Sequence, residues 1–288
     1  MFKSPLILLH FLVFLWGFTG IVAKLISIHP TPKVFLRMML AALVLYIYNR
    51  WKGFSIKIPT KSVLKIIFSG VILGFHWVTF FQSIQVSNVS VGTSMLSAGA
   101  LFTALLEPLF FRRKVDYKEI VLGIVIIICV GVMMNVETQY LLGIIIGLIA
   151  AFLSALNSVV TAKLRGEAPA EVIVFHQLFW GGLVVGIFML FEGSYTDIAK
   201  TTTSDWIYLF ILSAILTVYP MVQSVNLMKY ISPYTLMLTV NLEPIYSVIL
   251  ALFIFPNSEK MSFAFYITAL FLIGSVFING WLKSREKS

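Results

Sequence analysis

Residues 6–23 read LILLHFLVFLWGFTGIVA, an unbroken stretch with no Asp, Glu, Lys or Arg. A helix rises about 1.5 Å per residue and a bilayer's hydrocarbon core is about 30 Å thick, so roughly 17–25 apolar residues are needed to cross it. The stretch, extended to Leu6–Ile26, is long enough to span. Met1-Phe2-Lys3 ahead of it resembles the start of a secretory signal. No small-x-small cleavage pattern precedes the next apolar segment, so the span is expected to stay in the mature chain.

Working outward, nine further stretches satisfy the same criterion: Lys33–Asn49, Val63–Ser83, Val89–Phe111, Lys118–Asn135, Leu141–Lys163, Glu171–Phe191, Trp206–Val225, Pro233–Phe255 and Phe263–Trp281. The 288 residues are 59% hydrophobic and 11% charged, against about 45–50% and about 25% in soluble domains. A soluble fold is excluded. The reading is an all-α membrane protein of ten transmembrane helices, embedded in a lipid bilayer. Cys129 is the only cysteine, so there is neither an intrachain disulfide nor a cysteine-based metal site. The net charge of +9 would suggest nucleic acid on a soluble protein. Here the basic residues sit in the connections, and no nucleic-acid partner is implied.

Their positions orient the chain. One side of the expected membrane holds Lys3, the run from Arg50 to Lys65, the cluster Arg112-Arg113-Lys114 with Lys118, Lys163 and Arg165, Lys229, and the tail from Lys283 to Lys287. The other side holds only Lys33, Lys200 and Lys260. Basic residues accumulate on the cytoplasmic side, which places both termini there, in what is expected to be a bacterial inner (plasma) membrane.

The chain also repeats itself. Ala23-Lys24-Leu25 returns as Ala162-Lys163-Leu164, Arg37 meets His176 at the same offset, and Gln82-Ser83-Ile84 is echoed by Gln223-Ser224-Val225. The expected division is a first five-helix repeat over 1–137 and a second over 138–288, forming one integral membrane domain. Because five is odd, the second copy enters from the opposite side, and the halves are related by a pseudo-two-fold axis in the membrane plane. Substrate is then expected near the midplane, unless duplication served only to make a stable bundle.

Leu15-Trp16-Gly17, Phe35-Leu36-Arg37, Phe102-Thr103-Ala104-Leu105-Leu106, Leu242-Glu243-Pro244 and the acidic Glu259 together resemble the drug/metabolite transporter superfamily, specifically its EamA-type members. The resemblance covers essentially the whole chain. It implies ten helices in two inverted repeats around a central cavity lined by helices 1, 3, 4, 6, 8 and 9. It also implies a transporter of a small-molecule substrate, with amino acids or other metabolites as common cargo of such exporters and nucleotide sugars or sugar phosphates carried by more distant relatives. Where relatives usually carry an acidic residue after helix 4, this chain has Arg112-Arg113-Lys114.

Read residue by residue, Glu243 stands out, because a charge at membrane depth costs at least a few kcal/mol. It could exchange a proton during transport, making protons a coupling partner, or stay protonated in a structural role beside Pro244. Thr235, Thr239, Glu243 and Tyr246 fall on one helical face, while Asn241 points elsewhere and is expected to bond a neighbouring helix. His76 and Phe80 share a face in helix 3, beside Trp77. Trp16, His76, Phe80, Asn157, Glu243 and Tyr246 are the expected substrate-binding residues, and Trp180 is a weaker aromatic candidate. Glu243, Arg37 and Lys24 are candidates for coupling or gating, although the default for Arg37 and Lys24 near the outer helix ends, and for Glu107 near an inner one, is snorkelling. Gly70 with Gly74, Gly143 with Gly147 and Gly182 with Gly186 have the spacing of close helix contacts.

No cofactor and no metal is implied. The four histidines are isolated and no HExxH or GxxxxGK[ST] pattern is present, so neither a zinc hydrolase nor an ATP-driven pump is indicated. The remaining alternatives to a secondary-active or facilitative exporter are an intramembrane enzyme of another kind and a non-transporting receptor or scaffold.

Overall fold

The structure is a computed structural model that describes residues 5–112, 114, 115, 117–271, 274 and 278. Of the expected final span, Phe263–Trp281, the helical run 263–271 is described, with 274 and 278, and the rest lies outside the described residues. Among the described residues eight helical stretches are long and apolar enough to cross a membrane. A ninth helix of 20 residues, α7 (Tyr117–Val136), fills the expected fifth position. The outward faces carry Leu64, Leu109, Phe191 and Phe253, each more than 70% exposed. Such an exterior would associate in water and is satisfied by lipid.

Four of the expected spans are not uninterrupted α-helices. The first is α1 (Pro5–Gly17) and α2 (Thr19–Leu25), interrupted at Phe18. Two intact spans follow, α3 (Pro30–Trp51) and α4 (Thr60–Val86). The next is α5 (Val89–Leu96) and α6 (Gly99–Phe111), with Ser97 and Ala98 between them. After α7 come the intact α8 (Leu141–Leu164) and α9 (Ala170–Glu192). The eighth span runs through α10 (Thr203–Phe210), a π-helical stretch Ile211–Val218 and α11 (Tyr219–Leu227), which carries Pro220 in its first turn. The ninth is α12 (Pro233–Val240) and α13 (Glu243–Ile254), separated at Asn241 and Leu242. Pro244 in the first turn of α13 has no N–H to continue the ladder from α12, which makes a break there inexpensive.

The two broken spans at 89–111 and 233–254 cross in opposite directions, since α5 packs on α13 while α6 packs on α12. Each is capped by a carboxylate from the other. Glu259, just after α13, accepts hydrogen bonds from Val89 N at 3.1 Å and from Ser90 N and Oγ at 2.9 and 2.8 Å. Glu107, in α6, accepts one from Tyr234 N at 3.1 Å at the start of α12. Negative charge at a helix N-terminus meets bare N–H groups and the positive end of the helix dipole. Glu107 is thus buried and engaged rather than snorkelling.

The glycine spacings mark close packing. A Cβ on Gly74 would meet Val185 at 2.7 Å, one on Gly143 would meet Ser87 at 2.5 Å, and one on Gly186 would meet Phe35 at 2.9 Å. The tightest approach is between α4 and α9, where a Cβ on Gly181 would lie 2.2 Å from the Gly70 carbonyl oxygen. Here two backbones touch with no side chain between them.

Polar ties close both ends of the bundle. At one end Lys24 pairs with Glu259 at 2.6 Å, and Ser27 donates from N and Oγ to the two carboxylate oxygens of Asp205, both at 2.8 Å. At the other, Arg165 donates to the Met228 carbonyl. Ser62 Oγ also donates to Glu167 at 2.9 Å, and this bond, with Lys61 nearby at 3.5 Å, holds the Glu167 carboxyl below its ordinary pKa.

Candidate functional site

Where the interrupted helices meet intact ones, a cavity enclosing about 890 Å³ of space, its mouth included, opens in the bundle. Trp16 reaches it from the end of α1 next to the Phe18 interruption, and Glu243 reaches it from the first residue of α13. Irregular backbone at membrane depth is tolerated where it is buried in protein or lines a cavity. His76, Phe80 and Asn157 also line the space, so five of the six expected binding residues are brought together.

The sixth, Tyr246, is elsewhere. Its ring packs edge-on against Phe14 at 5.4 Å, and a Cβ on Gly17 would lie 2.7 Å from its Cβ. Tyr246, three residues past Glu243 in α13 itself, faces α1 rather than the cavity. Because α12 and α13 are separate helices, the step of four that would align Thr239 with Glu243 is lost. Thr239 instead donates to the Thr235 carbonyl at 3.0 Å. Asn241, expected to bond a neighbouring helix, is 1% exposed and both heteroatoms of its side chain are without a partner among the described residues.

Lys24 does not reach the cavity. Besides Glu259 it donates to Ser258 Oγ at 2.8 Å, tying α2 to the segment after α13. Arg37, expected near the surface, is 1% exposed and lines the cavity. The helix that carries it begins at Pro30, with Lys33 buried in the first turn and donating to the Ala23 carbonyl at 2.6 Å. Arg37 therefore lies two turns in. Its Nε donates to Thr217 Oγ1 at 2.8 Å, its guanidinium lies 3.7 Å from the centroid of Trp77, and Nη1 has no partner. Trp77 is a lining residue that periodicity placed only beside the functional face. Trp180 is not among the lining residues and packs edge-on against Phe179.

His76 Nδ1 lies 2.9 Å from the Ala150 carbonyl. A carbonyl only accepts, so Nδ1 carries the proton, and in the neutral ring Nε2 is left as an acceptor. The ring is stacked with Phe80, 6.2 Å between centroids. Toward the Glu167 end the lining becomes neutral and polar. Gln177 Nε2 donates to Ser69 Oγ at 2.6 Å and Thr161 Oγ1 at 2.8 Å, and Ser69 donates to Asn157 Oδ1 at 2.9 Å. Gln177, missed by the sequence reading, stands seven residues past Ala170 as Arg37 stands seven past Pro30. His176, its neighbour, contacts the Ile56 carbonyl at 2.7 Å and does not line the cavity. The repeat register that would have found Gln177 is 140, between the two offsets legible in the chain.

A bundle of membrane-length helices, interrupted around a buried cavity that holds both charged and hydrogen-bonding groups, has the architecture of a membrane transporter. The chain belongs to the EamA-like transporter family, whose model matches residues 3–136 and again residues 141–281. No curated protein matches the chain. Among solved structures it is similar to a crystal structure described only as that of a protein, with a TM-score of 0.70 and 14% identity over 96% of each chain. That likeness extends the shared fold across nearly the whole molecule.

Proposed function

We propose that the chain is a ten-helix carrier, secondary-active or facilitative, that exports a small metabolite, with amino acids the leading class. In this reading residues 1–137 and 138–288 are inverted five-helix repeats. Both termini are cytoplasmic in a bacterial inner membrane, and the Lys24 end faces outward. The observation that carries the proposal is the cavity itself: Trp16, His76, Phe80, Asn157 and Glu243, from spans of both repeats, converge on one space at the helix interruptions. Among the described residues its lining includes one arginine, Arg37, and an apolar wall of Leu73, Met221, Leu236, Met237 and Val240. A sugar phosphate would need several cations there, because an unpaired phosphate in low dielectric is prohibitive. An amino acid instead offers an ammonium for Glu243 and a side chain for the apolar and aromatic wall.

The test is efflux from preloaded proteoliposomes. Vesicles containing the protein are expected to release a labelled neutral amino acid faster than empty ones, and Trp16→Ala or His76→Ala to slow that release. Flux of phosphorylated sugars with none of any amino acid would overturn the substrate class.

A further inference from the structure

Arg37 and Glu243 are 1% and 6% exposed, carry opposite charge and line the same cavity, yet no ion pair joins them. Each buried charge alone is costly, and the cost is offset only by a well-placed partner. Arg37 is held in a fixed attitude. The Thr217 hydroxyl donates to the Leu212 carbonyl at 2.6 Å inside the π-helical stretch, so only its lone pairs remain to receive Arg37 Nε. Trp77 covers one face of the guanidinium at 3.7 Å. What stays open is the Nη edge, where Nη1 is buried without a partner. A planar fork with one edge free suits a carboxylate.

We infer that Arg37 is the carboxylate-binding residue of this carrier and that Glu243 faces the cationic group of the same solute, so that the cavity selects zwitterions. The inference rests on the carrier reading above and adds the class of head group. A zwitterion compensates both buried charges at once, whereas a cation or an anion alone leaves one of them unpaired. The matching position in the second repeat holds Gln177, a neutral amide whose Nε2 is committed to Ser69 and Thr161 and whose Oε1 can only accept, so that it offers a carboxylate no cation. With an amide there and a cation at Arg37, the solute has one orientation, its carboxylate in the half of the cavity nearer the Lys24 end.

The experiment uses the whole protein in proteoliposomes. For each neutral amino acid that the vesicles carry, the unlabelled acid, its amide and its N-acetyl derivative compete against the labelled acid. Wild-type protein is expected to disfavour the amide and the N-acetyl compound by about tenfold or more, the scale of a lost buried charge partner. Arg37→Gln is expected to weaken the acid and erase its preference over the amide while keeping the discrimination against the N-acetyl compound. Thr217→Val, which leaves the charge and releases its orientation, serves if Arg37→Gln does not fold, and is expected to shrink the acid-over-amide preference. An amide that competes as well as the acid in wild-type protein overturns the inference and leaves the carrier standing, as does transport of other solutes with no amino acid carried. Vesicles that carry nothing at all overturn the carrier reading itself.

Discussion

The Glu259 carboxylate and the Ser90 backbone N–H, 169 residues apart in sequence, are joined by a 2.9 Å hydrogen bond that seats one broken helix on the far end of the other. Ser90 Oγ, Val89 N and Lys24 Nζ complete the environment of a fully buried carboxylate. Removing Glu259 strips three donors of α5 and one lysine of their acceptor, whereas removing Lys24 leaves the three donors in place.

Glu259→Ala is accordingly expected to cost about 3–5 kcal/mol of folding stability, and Lys24→Ala, whose side chain is a quarter exposed, about 1–2 kcal/mol. Denaturation of the detergent-solubilised protein measures both. Equal losses would mean that the ion pair, not the helix cap, is what Glu259 provides.

Gly70 and Gly181 let α4 and α9 meet backbone to backbone. A Cβ on Gly70 would fall 2.5 Å from the Gln177 carbonyl oxygen, and a carbonyl cannot rotate away as a side chain can. Gly70→Ala or Gly181→Ala is expected to cost about 3 kcal/mol or more, the upper range of overpacking. Gly131→Ala, with open space around the added atom, is the control and should be close to neutral in the same melting measurement.

Glu243 is the carboxylate that lines the cavity, and it is 6% exposed. If it carries the coupling proton, a one-unit pH gradient supports about a tenfold gradient of a solute moved with one proton. Glu243→Gln keeps the shape and cannot ionise, so solute accumulation driven by a pH gradient is expected to vanish while expression persists. An unchanged pH profile in the variant would assign Glu243 a structural role.

Much of this arrangement was legible in the chain because the physics of a bilayer is written in hydropathy. Apolar length located the spans, and glycine spacing located the tight contacts. Trp16, His76, Phe80, Asn157 and Glu243 could be grouped from depth, from facing and, for Trp16 and the choice of lining helices, from the family resemblance. Hydropathy is blind to backbone breaks, so the interruptions at Phe18, Ser97-Ala98 and Asn241-Leu242 were hidden, and with them the loss of register between Thr239 and Glu243; the seating of Tyr246 on Phe14 is a tertiary contact that spacing along one helix does not show. Only Pro244 hinted at one of them. Arg37 was misplaced because Lys33 looked like a loop residue. Counting from Lys33 rather than Pro30 moved Arg37 toward the surface, and no periodicity reveals that Trp77 and Thr217, from two other spans, enclose it.

The carrier claim is tested most directly by whether the cavity opens to both sides of the membrane. Ser154 lines it and differs from cysteine by one atom. In a Cys129→Ser background, Ser154→Cys is expected to react with a membrane-impermeant thiol reagent in intact cells and in inverted vesicles alike. The transported solute is expected to slow the labelling from either face. Labelling from one face only, with and without solute, would contradict a cavity that alternates between the two sides.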